Sequence, residues 1–512
     1  MTETPRFAFC ATSAPDPTAA AAGRDVLALG GHALEACVAM AASLAVSRPD
    51  QAGLGADATF LVREPGGRLH VIDATGISGI KASGEALRKA GHDIVPKRGV
   101  TAALSVPGAV ASWMLALDMA RAFGGKIPLA DLLAPAIKSA REGFMPQMSA
   151  PADLQQFASE PGFADAFLDD GKWPDAGAPR RATKLGDTLE QLAHAGLRDF
   201  YRGDVGYEIA HDLERLRAPL TRVDFEKFEA RVRKPLAWRQ GIQTFFAASS
   251  PTFGLAHLIA PALQSRVETS WRHEDAILHA LLEASKTALR MGAAFALDPA
   301  VLDAKPESAL APATLEAQAA QIAKDRSKSL SFAPDLPQAL SLAAGDDKGT
   351  VVIATFSMGD AFGAGLVLNR TGLLLNNSAR FFSLDPRAPH TLSPKRKIPF
   401  APSPIMAVHD EGRALAMGSG CVDIDAQILA RLAAGQGLAE ALEAPRLRIG
   451  HETHVTYEDR FDPSTLRALE KRGHALMSAT QNFGTLCALQ RHRNGSIEAA
   501  ADPRGAGRAE GF

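Results

Sequence analysis

The chain has 512 residues, of which 46% are hydrophobic and 22% charged, and its formal net charge is -2. This is the composition of an ordinary globular protein, and it excludes the strongly basic surface with which proteins bind nucleic acid. Four cysteines lie far apart without C-x-x-C spacing, so we predict neither a disulfide framework nor a zinc-cysteine site: Cys10, Cys37, Cys421 and Cys487.

The beginning of the chain lacks the apolar run of a signal peptide, and no stretch of about 18 apolar residues occurs further along. We therefore expect a cytoplasmic protein without membrane contact.

The first half of the chain begins with a short predicted strand, "AFCATS" (8–13), an alanine-rich helix and a glycine-punctuated loop. A second strand, "RLHVID" (68–73), precedes an amphipathic helix, "AVASWMLALDMARAFG" (109–124). Residues 126–330 show mostly helical periodicity, which is clearest at 126–144 and 273–297. Helices mixed with glycine-bounded strands predict an α+β layered fold with a largely helical middle segment.

The second half changes character at Thr350. Short β-rich runs follow one another between Gly, Pro and Asn turns: "TVVIATFS" (350–357), "GLVLN" (365–369), "GLLLNN" (372–377) and "PIMAVHD" (404–410). An alanine-rich helix is predicted over 424–445, and a further amphipathic segment over 464–476.

A series of glycine and proline motifs runs through the chain in a recognisable order. It includes "GGHALEA" (30–36), "SVPGAVA" (105–111), "PAIKSAREGF" (135–144), "FGAG" (362–365), "TGLLLNN" (371–377), "GSG" (418–420), "EAPRL" (443–447) and "DPRGAGRA" (502–509). Their order and spacing resemble the gamma-glutamyltranspeptidase family over nearly the whole chain.

The resemblance implies a single domain over 1–512 with the N-terminal-nucleophile hydrolase fold, a four-layer αββα sandwich. It divides into a large-subunit-like part, 1–336, and a small-subunit-like part, 337–512. Family members cut themselves just before a threonine, whose freed amine activates its own hydroxyl for carrying the gamma-glutamyl group. A glycine pair stabilises the oxyanion, an arginine binds the substrate carboxylate and an acidic residue binds its amine.

The nucleophile position of the family falls on Ala339, counted back from Gly349 and from Phe362-Gly363 without a gap. The family's Thr-Thr-His-x-Ser is replaced by residues 339–343, "ALSLA", in which Ser341 is the only hydroxyl. Alanine offers no nucleophile, so we expect the chain to remain uncut between its two parts. Ser341 is a weak candidate nucleophile, and an ordinary polar residue at a strand edge is the alternative interpretation.

The remaining positions of the predicted cleft also depart from the family. Phe381 replaces the amine-binding carboxylate, and Gly359 replaces an asparagine that contacts substrate. The arginine is expected at Thr75 or its neighbours in "DATGISG" (73–79), a segment that contains no arginine. The Gly-Ser-Pro-Gly-Gly turn becomes "GSGCV" (418–422). The predicted cleft residues are Ser357, Gly359, Ser378, Phe381, Ser419, Gly420 and Cys421.

Three other patterns allow more than one interpretation. Thr355 keeps a family residue type and Cys421 lies at a glycine-rich turn, so both are further weak candidates for a nucleophile. Arg380 and residues 395–397 either attract an anion or form a solvated basic surface. The histidines of "GHETH" (450–454) suggest a metal site, but strand alternation would separate His451 from Glu452, so we predict no metal and no cofactor.

The leading hypothesis is a protein of this fold that has lost self-cleavage and gamma-glutamyl transfer and that binds a small molecule or a protein partner. The alternative is an amide hydrolase or acyltransferase of altered specificity that uses a nucleophile foreign to the family.

Overall fold

Two seven-stranded sheets form the centre of the structure, a computed structural model that describes residues 4–175, 177–267, 273–330, 338–480 and 483–512. The first sheet has the order β19-β2-β10-β11-β3-β4-β7 and is antiparallel throughout. Its strands are β2 (Ala11–Ala14), β3 (Asp57–Arg63), β4 (Leu69–Ala74), β7 (Arg231–Arg233), β10 (Gln338–Gly345), β11 (Val351–Gly359) and β19 (Arg508–Gly511).

The second sheet has the order β1-β18-β17-β13-β12-β9-β8 and is also antiparallel. Its strands are β1 (Arg6–Phe7), β8 (Leu236–Gln240), β9 (Gln243–Ala247), β12 (Ile405–His409), β13 (Ala414–Gly418), β17 (Cys487–Arg491) and β18 (Ile497–Ala501). Two small sheets complete the strands: β5 (Ile77–Ser78) with β6 (Ser105–Val106), and β14 (Leu447–Ile449) with β15 (His454–Tyr457) and β16 (Ala475–Ser478).

The helices divide into two sets, and most of those from the first half pack on the outer face of the first sheet. These are α1 (Pro17–Ala28), α2 (Ala33–Ser47), α3 (Pro49–Ala52), α4 (Gly84–Lys89), α5 (Ala109–Ala122), α6 (Leu129–Glu142), α7 (Leu154–Ala158), α8 (Phe163–Phe167), α9 (Thr183–Ala195), α10 (Asp199–Arg202), α11 (Asp204–Arg215) and α12 (Arg222–Lys227). The second set packs on the second sheet: α13 (Gly254–Gln264), α14 (Glu274–Ala293), α15 (Pro312–Ala319), α16 (Val422–Ala433), α17 (Leu438–Glu443) and α18 (Pro463–Lys471). None of the helices in the described ranges is both long and apolar enough to span a membrane.

Strand β11 shows how the sequence builds these layers. Its side chains alternate between two cores: Val352, Ala354 and Phe356 pack under the helices, whereas Val351 and Ile353 pack between the sheets. Because both faces of the strand are covered, all nine of its residues are buried. The predicted α+β fold with four αββα layers is confirmed.

Helix α2 is apolar on every side, and all 15 of its residues are buried between the first sheet and the outer helices. Its start is fixed by the sequence itself. Nδ1 of His32 accepts a hydrogen bond from the backbone N–H of Leu34, and Glu35 accepts one from the backbone N–H of His32.

The structure adds to or corrects three expectations about local structure. The middle segment is largely helical as predicted, but residues 231–247 within it form β7, β8 and β9. The runs at 365–369 and 372–377 are buried loops joined by one isolated bridge between Val367 and Leu374. The β-rich half also begins before Thr350, because residues 338–345 form β10.

The expected division between residues 336 and 337 lies outside the described residues, which resume at Gln338. The assignment of two parts within one uncut domain therefore stays a prediction.

Candidate active-site cleft

Ala339 lies in the second position of β10, at the start of a strand inside the first sheet. The pairing with β11 is irregular here: Gln338 is opposite Gly359 and Leu340 is opposite Phe356, so Ala339 lies in a bulge. Its half-buried methyl group faces Gly420, where an added Cβ atom would come within 2.8 Å of the Cβ of Ala339. The nucleophile position of the family is thus next to the glycine-rich turn, but it carries a group that neither donates nor accepts a proton.

Ser341 lies two residues further along β10 and is 2% exposed. Its Oγ donates a hydrogen bond to the carbonyl of Gly418 at 2.5 Å and accepts one from the backbone N–H of Cys487 at 3.1 Å. Gly418 and Cys487 are register partners at the ends of β13 and β17, so the hydroxyl joins the two sheets. No general base contacts this hydroxyl in the described part of the chain, and its contacts are those of a structural bridge.

Thr355 is directly opposite Ser341 in the pairing of β10 with β11. Its Oγ1 is buried and has no hydrogen-bond partner among the described residues. A hydroxyl without a base to receive its proton stays a weak nucleophile.

Ser357 contacts the backbone at the point where relatives are cut. Its Oγ donates to the carbonyl of Gln338 at 2.6 Å and accepts from the backbone N–H of Gly359 at 3.0 Å. That carbonyl belongs to the Gln338–Ala339 peptide bond, so the bond corresponding to the family's cleavage site is held by a hydrogen bond. Gly359 has a φ of +85°, and a Cβ atom there would lie 2.3 Å from Oδ1 of Asn377. The substrate-contacting asparagine of the family has no room at this position.

The turn at 418–421 is held by a carboxylate from α16. The backbone N–H and Oγ of Ser419 both donate to Oδ1 of Asp425, at 3.1 and 2.7 Å. Nδ1 of the fully buried His257 lies 3.0 Å from the other oxygen of Asp425. In a catalytic Ser-His-Asp array the imidazole lies between serine and carboxylate, whereas here the carboxylate lies in the middle. His257 and Asp425 therefore position the turn, and our reading of the sequence did not identify either of them.

Gly420 and Cys421 complete the turn. Gly420 has a φ of +72°, the left-handed conformation that favours glycine. Cys421 precedes α16, and its backbone N–H donates to Oγ of Ser419 at 3.0 Å. Burial raises the pKa of the Cys421 thiol to about 11, and nearby Arg448 only partly opposes this effect. At neutral pH the group is a thiol rather than the reactive thiolate.

Phe381 occupies the position of the amine-binding carboxylate. The ring is 7% exposed and packs in the core on the side of the second sheet. The guanidinium carbon of Arg380 lies 4.2 Å from the centre of the ring. Arg380 also donates to Oδ1 of Asp360 at 2.6 Å. The cleft thus presents an aromatic ring where the family presents an anion, and the nearby carboxylate of Asp360 is already paired with Arg380.

Thr75 occupies the expected arginine position, and a lysine from a distant segment reaches it. Nζ of Lys397 donates to the carbonyl of Thr75 at 2.9 Å and to Oδ1 of Asp73 at 3.1 Å. Burial would raise the pKa of Asp73, but Lys397 and Arg233 outweigh it and lower the pKa. The solvated basic surface considered for residues 395–397 is wrong for Lys397, whose side chain is 13% exposed.

Asp57 lies beside these groups, and sequence reasoning missed it. It pairs with Ser357 across β3 and β11, and Ser378 hydrogen-bonds to its carboxylate. Burial raises the pKa of Asp57 to about 7, although Ser378 and Lys397 oppose the shift. A charged residue opening the apolar strand "DATFLV" (57–62) was the only available signal.

Residues 450–453 of the "GHETH" segment connect β14 to β15, and His454 begins β15, so the strand alternation assumed for His451 and Glu452 was wrong. Glu452 has a φ of +55°, and the side chains of His451 and Glu452 are 65% and 58% exposed.

Comparison with known proteins places this geometry in a family. The gamma-glutamyltranspeptidase family model matches residues 19–512. The chain is 32% identical to the oxamate amidohydrolase proenzyme of Klebsiella pneumoniae over 98% of both chains. It is 26% identical to the glutathione hydrolase proenzyme of Escherichia coli over 96% of this chain and 89% of that one.

Among solved structures, the cephalosporin acylase from Bacillus halodurans superposes with a TM-score of 0.91 at 24% identity, covering 100% of this chain and 97% of that one. This similarity shows the N-terminal-nucleophile hydrolase fold. The names of these relatives are those of hydrolases and acylases. The chain belongs to the gamma-glutamyltranspeptidase family of hydrolases.

Proposed function

We propose that this protein neither cuts itself nor transfers gamma-glutamyl groups, and that it uses the cleft to bind a small molecule or a protein partner. The observation that carries the proposal is the methyl group of Ala339 next to the Gly418–Cys421 turn. Self-cleavage and group transfer in this family both use one hydroxyl at that point, so its absence removes both reactions together.

The other candidate nucleophiles support the proposal. Oγ of Ser341 is used in two structural hydrogen bonds, Oγ1 of Thr355 is buried without a base, and the pKa of Cys421 is raised. Each of these groups lacks one of the two requirements for covalent catalysis, which are access to substrate and a means of losing the proton.

The surroundings of the cleft favour a ligand without an amino-acid head group. Phe381 and Arg380 replace the carboxylate that would pair with an ammonium group, and Lys397 is already paired with Asp73. An ammonium placed there would compete with Arg380 for Asp360 and with Lys397 for Asp73, so the loss of its hydration would be poorly compensated. We therefore propose a ligand that is apolar or anionic at that end, held in the cytoplasm by a protein that remains one chain.

Two measurements on the purified chain test the proposal. On a denaturing gel we expect one band at 53.9 kDa. With a chromogenic gamma-glutamyl amide, and with oxamate because of the Klebsiella relative, we expect no product above a buffer control. The Escherichia coli glutathione hydrolase serves as the positive control for the first substrate.

The alternative, an amide hydrolase with a nucleophile foreign to the family, predicts a different outcome. Turnover of either substrate that disappears in Ser341→Ala, Thr355→Val or Cys421→Ser would overturn the proposal and identify the nucleophile. Two fragments divided between Gln338 and Ser341 would overturn the expectation of an uncut chain.

A further inference from the structure

A second cluster of chemically capable side chains lies in the helices that cover the second sheet. His279 and Glu283 are one turn apart on α14, and His474 lies in the turn after α18. All three residues are 2% exposed, and one ligand atom from each lies within 4.8 Å of the others. The function proposed above uses none of them.

The hydrogen bonds assign the protons of the two imidazoles. Nε2 of His279 is 2.9 Å from the carbonyl of Ala323, so it carries the proton and donates. Nδ1 of His279 must then accept from Nε2 of His474, 2.8 Å away. This leaves Nδ1 of His474 as a buried lone pair without a hydrogen-bond partner in the described ranges. Burial lowers the pKa of both rings, that of His474 to about 3, so both are neutral at physiological pH.

The carboxylate of Glu283 is held in place by three hydrogen bonds. Its Oε2 accepts from the backbone N–H of Lys328 at 3.0 Å, and its Oε1 accepts from Nζ of Lys286 at 2.8 Å and from Oγ of Ser327 at 3.2 Å. Two imidazoles and a carboxylate form a ligand set that suits zinc and similar ions, and outer hydrogen bonds hold His279 and Glu283 in place. The bond from His279 to a backbone carbonyl is the outer contact that metal-binding histidines commonly make.

We propose that His279, Glu283 and His474 bind one divalent transition-metal ion of the Zn²⁺ class. The proton on Nε2 of His474 moves to Nδ1, and the lone pair left on Nε2 then binds the ion together with Nδ1 of His279 and one oxygen of Glu283. In a tetrahedral site with bonds of about 2.0–2.2 Å, ligand atoms are roughly 3.3 Å apart. The two nitrogens, now 2.8 Å apart, must therefore separate slightly, and a carboxylate oxygen, now within 4.8 Å of them, must approach.

The charges around the site affect how strongly it binds a cation. Glu283 is the anion of the cluster, whereas Lys286 and Arg472 are the cations that face the two histidines, and Arg472 is paired with Asp275. Nζ of Lys286 contacts Oε1 of Glu283 directly, so it competes with a bound ion for the same carboxylate. Lys286→Met removes the nearest competing cation and raises the affinity by at least about tenfold.

The test uses the full chain without a histidine tag, stripped of metal and titrated with Co²⁺ as a visible probe. We expect one Co²⁺ per chain with the strong absorption of a four-coordinate ion, displaced by one equivalent of Zn²⁺. Glu283→Gln and His474→Gln each lower the affinity by more than about 100-fold, beyond the loss typical of an outer-shell change.

The control is the double variant His451→Ala and His454→Ala, which removes two exposed histidines and leaves binding unchanged. Circular dichroism checks that each variant folds. If the two ligand variants do not fold, the Co²⁺ titrations of the wild type, Lys286→Met and the surface control still test the proposal. No stoichiometric Co²⁺ absorption in the wild type, or binding lost in the surface control, overturns the proposal.

Discussion

Ser341 and Thr355 face each other across β10 and β11, and the structure predicts opposite effects for removing their hydroxyl groups. Ser341→Ala leaves the carbonyl of Gly418 and the N–H of Cys487 without the hydroxyl that joins them. Each buried backbone group that loses its partner costs about 1–3 kcal/mol, so for the two groups together we expect a loss of about 2–6 kcal/mol. Thr355→Val keeps the shape of the side chain and removes an unsatisfied hydroxyl, which gives a gain of about 1 kcal/mol.

Differential scanning calorimetry at a fixed scan rate measures both variants against the wild type. An unfolding entropy of about 2.1 cal/mol/K per residue converts about 2–6 kcal/mol into a fall in Tm of about 2–6 °C for Ser341→Ala, and about 1 kcal/mol into a rise of about 1 °C for Thr355→Val. The fixed rate matters because large chains often unfold irreversibly. A Tm of Ser341→Ala equal to that of the wild type, or a Thr355→Val variant that unfolds several degrees earlier, would refute the assignment of these hydroxyls.

Three further predictions concern the cleft. Ala339→Thr restores a hydroxyl beside the carbonyl of Gln338, which Ser357 already holds by a hydrogen bond, so slow cleavage into two fragments is expected on a denaturing gel. The matched control Ala339→Val, with the same shape but no hydroxyl, stays intact; an uncut threonine variant would show that other lost positions are also needed. Alkylation of Cys421 by iodoacetamide, with Cys421→Ser as background, accelerates up to about pH 11, and a plateau below pH 8 would contradict the raised pKa. The pKa of Asp57 is about 7 in the folded chain and near 3.8 in the unfolded chain, so between these pH values only the folded chain keeps this carboxyl group protonated. The free energy of unfolding therefore falls as the pH rises from about 4 to 7. Asp57→Asn flattens this decline in thermal unfolding at pH 5, 6 and 8, whereas an unchanged slope would assign the decline to other groups.

The sequence carried enough information to predict the layers of the fold. The nearly continuous apolar run of β11 and the apolar residues on every side of α2 indicate that both elements are covered on all faces. Gly55 is another example, because a Cβ atom there would lie 1.9 Å from the carbonyl of Leu374. Only a glycine permits that approach, so glycines of this kind also mark places where two backbone segments pack closely.

Other parts of the molecule were misread for a physical reason. The strands at 231–247 are short and half exposed, and the buried loops at 365–377 are as apolar as strands. Local patterns of hydrophobicity do not separate a buried loop from a buried strand. The strand prediction for the "GHETH" segment was wrong for a similar reason. The turn depends on the left-handed backbone conformation of Glu452, which the residue types do not indicate.

What the sequence by itself determined is the family, the fold and the alanine at position 339, since each of these follows from residue identity and order. The tertiary structure decided the rest. It places the hydroxyl of Ser341 in hydrogen bonds with the backbone groups of Gly418 and Cys487, 77 and 146 residues away. It also brings Lys397 to Thr75 across 322 residues and His279 to His474 across 195 residues. Such contacts exist only once the layers have packed. The chemistry of a side chain is set by these neighbours and by its burial, neither of which is written in the residues beside it.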